Sequence, residues 1–331
     1  MTRVLSGIQP TGEVHLGNYL GAIRRWADEQ DRVDGFFCIV DLHAITLPHV
    51  PAELRERTLE LATTLLAAGI DPDRSTLFVQ SHVHEHSELA WILNCVASMG
   101  ELSRMVQWKE KSADKGEFAS VGLFDYPVLQ AADILLYRAD EVPVGDDQRQ
   151  HIELTRDVAQ RFNHRFGEVF NLPKATHPPV AARVMDLQTP TNKMSKSSES
   201  PKGTVPLLDE PSRIAKRIKA AVTDSGSEVR ADRENKAGIT NLIELLSSVT
   251  GDDIATIEAR YEGQLYGTFK SDVAEAVVEF VRPVQDRYRE LTADPGAVGE
   301  LLAKGADKAG TVAAVTLAKA KDAVGFLPGY R

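Results

Sequence analysis

The chain has 331 residues, 43% of them hydrophobic and 26% charged, with a formal net charge of −10. That length supports two domains with a sizeable buried core, and the composition is that of a globular protein rather than a disordered or fibrous one. No apolar run approaches the ~20 residues needed to span a bilayer, and MTRVLSGIQP at the start lacks the apolar stretch of a secretory leader, so a cytoplasmic protein with no membrane partner is expected. The negative balance argues weakly against nucleic acid as the main ligand, but it says nothing about a local basic surface.

In chain order, Val4 to Ser6 reads as a short strand, and Leu16, Tyr19, Leu20, Ile23, Trp26 and Ala27 recur at helical spacing between 16 and 30. Phe36 to Val40 is a continuous apolar run of buried-strand type. Cys38, within it, and Cys95 lie in apolar surroundings and read as small core residues rather than a disulfide or a metal pair. Pro51 opens a helix carrying Leu54, Leu61, Leu65 and Leu66; Asp71-Pro72 marks a turn, and Leu77 to Val79 a further strand. Strand and helix alternating in this way predict a parallel sheet with helices on both faces.

Residues 104–177 interrupt the alternation and read as mostly helical, before a short strand pattern returns over 182–187. A polar stretch over 188–202 precedes helices at 210–222, 238–250, 252–261, 271–290 and 296–323. The predicted fold class is α/β. It comprises a Rossmann-like doubly wound parallel sheet domain over 1–187 with a helical insertion at about 104–177, a loop and linker over 188–204, and a helical C-terminal domain over 205–331. The last helix has room to pack back on the first domain.

Gly7-Ile8-Gln9-Pro10-Thr11-Gly12 and His15-Leu16-Gly17-Asn18 sit where the first strand turns into the first helix. A helix start at that edge of a doubly wound sheet offers N–H groups to phosphate, and His15 and Asn18 can donate further hydrogen bonds. The same residues also suit a plain turn and helix start. Lys193-Met194-Ser195-Lys196-Ser197 places two lysines and two hydroxyls on the polar stretch, able to neutralise charge on a departing polyphosphate, or simply to face water.

Tyr126, Gln130, Asp133 and Tyr137 are spaced i, i+4, i+7 and i+11 on one face of an otherwise apolar helix, so that face meets water, a partner or a ligand. Val142 to Gln148 reads as a strand ending in Gly145 and then Asp146 and Asp147, a helix cap and a ligand edge at once. His82, His84 and His86 alternate and could hold Zn on a strand, but no carboxylate or thiol completes a set, so a surface loop without metal is expected. Arg213, Lys216 and Arg217 share a helix face that suits either RNA phosphate or solvent, with Asp209 and Glu210 near enough in sequence to pair with them.

HLGN resembles the HIGH signature of class I aminoacyl-tRNA synthetases, and KMSKS is identical to their second signature. SGIQPTGEVHLGNYLGA, CIVDLHAIT, QWKEKS, AADILLY, VPVGDDQRQHIELTRD and GITNL extend the resemblance to the bacterial tryptophanyl members over nearly the whole chain. It implies activation of L-tryptophan with ATP and Mg²⁺ to the adenylate, transfer to the terminal ribose of tRNA(Trp), a homodimer, a helical domain that reads the anticodon, and no tightly bound protein metal.

His15, Asn18, Lys193 and Lys196 would then be the catalytic groups. Gln9, Pro10, Thr11, Gly17, Lys111, Gly145, Asp146, Asp147, Val184, Met194, Ser195 and Ser197 would join them around ATP. Asp133 would accept the indole N–H, with Tyr126 on the substrate ammonium and Gln107, Gln148, Gln130 and His43 completing the tryptophan site. Gln130 stands where bacterial members commonly carry Met. The other readings are a tyrosyl sibling, a different adenylyl transferase, or an inactive relative that binds RNA or senses tryptophan.

Overall fold

Short apolar runs bounded by turn residues form five strands: β1 Thr2–Ile8, β2 Val33–Ile39, β3 Thr76–Val79, β4 Glu141–Pro143 and β5 Lys174–Thr176. The computed structural model describes residues 1–113, 119–145, 148–176, 184–195 and 200–328, with only the backbone of 111–113. The strands pair in parallel in the order β3-β2-β1-β4-β5, with Leu5 opposite Phe36 and Cys38 opposite Phe78. Chain order reverses between β1 and β4, and in an open parallel sheet that is where a crevice opens at the carboxyl ends of the strands.

Alternation along β2 sends successive residues to opposite faces. Phe37 and Ile39 join a cluster with Leu16, Ile23, Leu61 and Leu65 that runs on into Ile239, Leu242, Phe269 and Val277 of the C-terminal helices. Phe36 and Cys38 face the other cluster, with Leu89, Leu93, Val128, Leu135, Ile152 and Phe162. Helix Pro295–Ala323 crosses β3 so closely that a Cβ on Gly305 would lie 1.8 Å from the Leu77 carbonyl oxygen. Among the described residues no helix is long and apolar enough to cross a membrane.

The helices Pro51–Ala67, Pro211–Lys219, Ala237–Thr250, Ile254–Arg260 and Pro295–Ala323 fall within a few residues of their sequence patterns. The helix patterned over 271–290 begins earlier, at Tyr266, and runs to Thr292. The first helix is continuous with a π-helical turn at Tyr19–Ile23 between Leu16–Asn18 and Arg24–Glu29.

Three expectations are corrected. The stretch read as mostly helical over 104–177 contains, besides β4 at the strand read from Val142, the unread β5, only three residues long and therefore weakly patterned. Val184 lies in no described strand: Met185 makes an isolated antiparallel bridge with Lys193, and residues 177–183 lie outside the described residues. Cys38 is buried as expected, but Cys95 caps the C-terminus of helix Glu85–Asn94 and is exposed, because its apolar sequence neighbours turn inward around it.

Candidate active site

β1 delivers Gln9, Pro10 and Thr11 to the carboxyl edge of the sheet, with Pro10 buried and the other two exposed. His15 then caps the helix: the Asn18 N–H donates to His15 Nδ1 at 3.2 Å, and the His15 N–H donates to Asn18 Oδ1 at 3.2 Å. Because Nδ1 accepts, a neutral His15 carries its proton on Nε2, and the Asn18 amide keeps its NH₂ as a donor. Both side chains are thereby oriented by the turn they cap.

The second signature meets the first at Gly17. A Cβ there would lie 3.1 Å from His15 Nδ1 and 3.4 Å from Met194 Cβ, so any larger residue would push the two apart. Met194 is buried, and its N–H donates to the Val184 carbonyl at 3.0 Å, while Lys193 is exposed. The returning chain pairs with the first signature as well: Leu16 N–H donates to Val205 O at 2.8 Å and Leu207 N–H to Val14 O at 2.8 Å. Asn241, buried in helix Ala237–Thr250, holds both backbone groups of Met185, accepting from its N–H at 2.9 Å and donating to its carbonyl at 3.0 Å.

The polar face of helix Val121–Leu136 turns inward rather than to water. Asp133 is 4% exposed. Its Oδ2 accepts from His43 Nε2 at 2.7 Å, and its Oδ1 from Gln80 Nε2 at 2.7 Å and His86 Nδ1 at 2.6 Å. His43 follows β2 and Gln80 follows β3, so the carboxyl ends of two strands supply the donors. Burial alone would raise the Asp133 carboxyl; the attraction and hydrogen bonds of His43 and His86 outweigh it and hold the group well below the usual carboxylate range.

Along the same helix the Tyr126 hydroxyl donates to Gln107 Oε1 at 2.7 Å and lies 2.9 Å from His151 Nε2. Burial pushes the Tyr126 phenol up to about 12, so it remains a donor at neutral pH. Gln130 Nε2 donates to Gln148 Oε1 at 3.4 Å, linking this helix to the start of helix Arg149–Phe166. Gly145 is exposed just beyond β4. Asp146, Asp147, Lys196 and Ser197 lie outside the described residues, as does the Lys111 side chain.

Two residues of this neighbourhood went unread in the sequence, Gln80 and His151, and the surface-loop expectation for His86 is corrected. An isolated polar residue carries no periodic signal. His82 and His84 are exposed, as a surface loop requires, but His86 is fully buried against Asp133 and Tyr137. Among the described residues no group of three or more His, Cys, Asp or Glu is arranged to hold a metal ion. The basic helix face also divides. Arg217 turns inward to the carbonyls of Pro201 and Thr204 and to Asp209, while Arg213 and Lys216 are exposed, Arg213 with Asp209 3.5 Å away.

A parallel sheet with a switch-point crevice, a capped HLGN turn and a KMSKS stem packed on it define a class I synthetase site. The family model described as tRNA synthetases class I (W and Y) matches residues 1–282, and the chain belongs to that family. A relative from Streptomyces avermitilis named tryptophan–tRNA ligase 2 is 58% identical over 328 residues, covering 98% of this chain and 97% of its own. The tryptophanyl-tRNA synthetase of Campylobacter jejuni, solved with ADP and tryptophan, superposes with a TM-score of 0.87 at 38% identity, covering 98% of this chain and 100% of that one. That of Mycoplasma pneumoniae gives 0.88 at 36% identity, covering 99% and 98%.

Proposed function

We propose that the chain is a tryptophan–tRNA ligase in which Asp133 selects the side chain and the HLGN turn with the KMSKS segment drives adenylate formation. A carboxylate oxygen of L-tryptophan attacks the α-phosphorus of MgATP, and the bond to the bridging oxygen breaks to release pyrophosphate. A hydroxyl of the terminal ribose of tRNA(Trp) then attacks the acyl carbon, and AMP leaves. No step needs a covalent protein nucleophile, so positioning and charge stabilisation carry the rate.

The observation that carries the reading is the Asp133 carboxylate, buried and kept ionised at the ligand edge of the sheet. A carboxylate has about four acceptor positions, and among the described residues three are filled, leaving one on Oδ2 for a donor such as the indole N–H. His15 Nε2, the Asn18 amide and Lys193 suit phosphate oxygens, with Lys196 beside them in sequence. Tyr126, Gln107, Gln148 and Gln130 suit the polar end of the amino acid. Magnesium enters with ATP as part of the substrate.

The segment after 204 is proposed to hold the anticodon, and the chain to work as a homodimer. Exposed Trp91, Met99, Val121 and Ile45 support the second reading, and the Ser120 hydroxyl donates to the Thr46 carbonyl at 3.4 Å between the segments that carry the last two. Incubating the protein with labelled tryptophan, ATP, Mg²⁺ and tRNA(Trp) should yield an alkali-labile ester on the tRNA. Adenylate formation with no ester would remove the ligase reading.

A further inference from the structure

Beyond Asp133 lies a second buried layer. His86 is fully buried between two partners, with Nδ1 2.6 Å from Asp133 Oδ1 and Nε2 2.7 Å from the Tyr137 hydroxyl. Tyr137 is itself fully buried, stacked on Phe36 with ring centroids 4.7 Å apart and tilted against Phe78 at 5.5 Å. Phe78 also packs on the His86 ring at 5.9 Å. Burial raises the Tyr137 phenol far above its ordinary value, so its single proton stays on the oxygen.

The protons along this chain are countable. The ionised Asp133 can only accept, so His86 carries a proton on Nδ1, and in the neutral imidazole Nε2 is then left to accept the Tyr137 hydroxyl. Gln80 is fixed by the same logic. The Leu42 backbone N–H, which can only donate, takes Gln80 Oε1 at 3.1 Å, so the NH₂ end must turn to Asp133. Both positions on Oδ1 are therefore filled by donors whose own orientation is set further out.

We propose that Tyr137 and His86 are positioning residues for substrate choice: they hold the His86 Nδ1–H tautomer, saturate Asp133 Oδ1, and leave Oδ2 as the acceptor that the indole N–H must satisfy. The proposal rests on the reading of Asp133 as the indole acceptor. An amino acid whose ring lacks the N–H then leaves a buried, oriented carboxylate oxygen without its donor, and is rejected by more than its size alone would cause. With the tautomer unfixed, the carboxylate can rotate toward whichever donors remain, and the penalty on the wrong ring falls.

The test compares tryptophan with the analogue in which sulfur replaces the indole N–H, β-(3-benzothienyl)alanine, in ATP–pyrophosphate exchange. Tyr137→Phe deletes one hydroxyl and keeps the ring. It should raise the KM for tryptophan and cut the tryptophan-to-analogue ratio of kcat/KM by roughly tenfold, the weight of one hydrogen bond in a charged network, with the KM for ATP unchanged. His86→Leu should cut the ratio further, and His86→Asn, whose amide N–H stands near the Nδ1 position, should restore most of it.

In the wild-type protein, ¹⁵N shifts of the His86 ring should show the proton on Nδ1, a readout that survives even if a variant fails to fold. A proton on Nε2 overturns the proposal. So does an unchanged ratio in both Tyr137→Phe and His86→Leu, provided Asp133→Asn loses discrimination. If Asp133→Asn itself keeps the wild-type ratio, the indole-acceptor reading falls first, and the proposal with it.

Discussion

An ionised carboxylate with 4% of its surface exposed survives only among donors, and Asp133 has three of them. Asp133→Ala should leave ATP binding intact while kcat/KM for tryptophan falls by ~10²-fold or more, since a hydrogen bond to a charged group and its desolvated surroundings are lost together. Wild-type tryptophan kinetics in that variant would refute the role. The same group also couples folding to pH. Its folded pKa is depressed, so its contribution is fully present above the ordinary carboxylate value near ~4 and is lost as pH falls from there toward the folded value. Acid titration of the unfolding midpoint should be steeper below pH ~4 in the wild type than in Asp133→Asn.

At this scale the sequence was legible in part. The i, i+4, i+7, i+11 spacing alone puts Tyr126, Gln130, Asp133 and Tyr137 on one face. His86 was not legible, because reading H-x-H-x-H as a surface loop sends all three rings outward. The chain there is a 3₁₀ turn at Gln80–His82 followed by helix Glu85–Asn94, and only the third ring turns inward. Gln80 meets Asp133 across 53 residues, a tertiary fact with no local signal.

At the scale of elements, the KMSKS stem is held from the helical part of the chain. Asn241 stands in for a strand partner by satisfying both backbone groups of Met185, and Arg217 clasps the carbonyls of Pro201 and Thr204 beyond the loop. Asn241→Ala leaves two part-buried backbone groups unpaired, which should lower stability by about 2–4 kcal/mol, seen as a lower denaturant midpoint at unchanged m-value. Arg217→Ala should slow adenylate formation and leave the salt dependence of tRNA binding unaltered. A flatter salt slope would instead mean that Arg217 neutralises a tRNA phosphate. Helices were legible here because caps and apolar stripes recur over several turns. β4 was legible as the run at Val142, but the three-residue β5 and the Met185–Lys193 bridge are too short to show a period.

Across the whole molecule, one hydrophobic cluster joins a sheet face to the C-terminal helices, and helix Pro295–Ala323 seals β3 at Gly305. Gly305→Ala should destabilise the fold by about 1–3 kcal/mol through overpacking against Leu77. Gly310→Ala, on the same helix with nothing within 4 Å of its Cβ, should be neutral or stabilising by up to ~1 kcal/mol. Equal effects from the two would mean that the close approach at Leu77 does not matter. If Trp91 lies at a dimer seam, Trp91→Glu should yield monomers by sedimentation, and an unchanged dimer would place the seam elsewhere.

The central claim is that this chain activates tryptophan through a site that demands an indole N–H. ATP–pyrophosphate exchange, run with each of the twenty amino acids in turn, tests it most directly. Tryptophan should support rapid exchange, with tyrosine and phenylalanine each lower by ~10³-fold or more in kcat/KM. Exchange driven by tyrosine, or by no amino acid at all, would contradict the account.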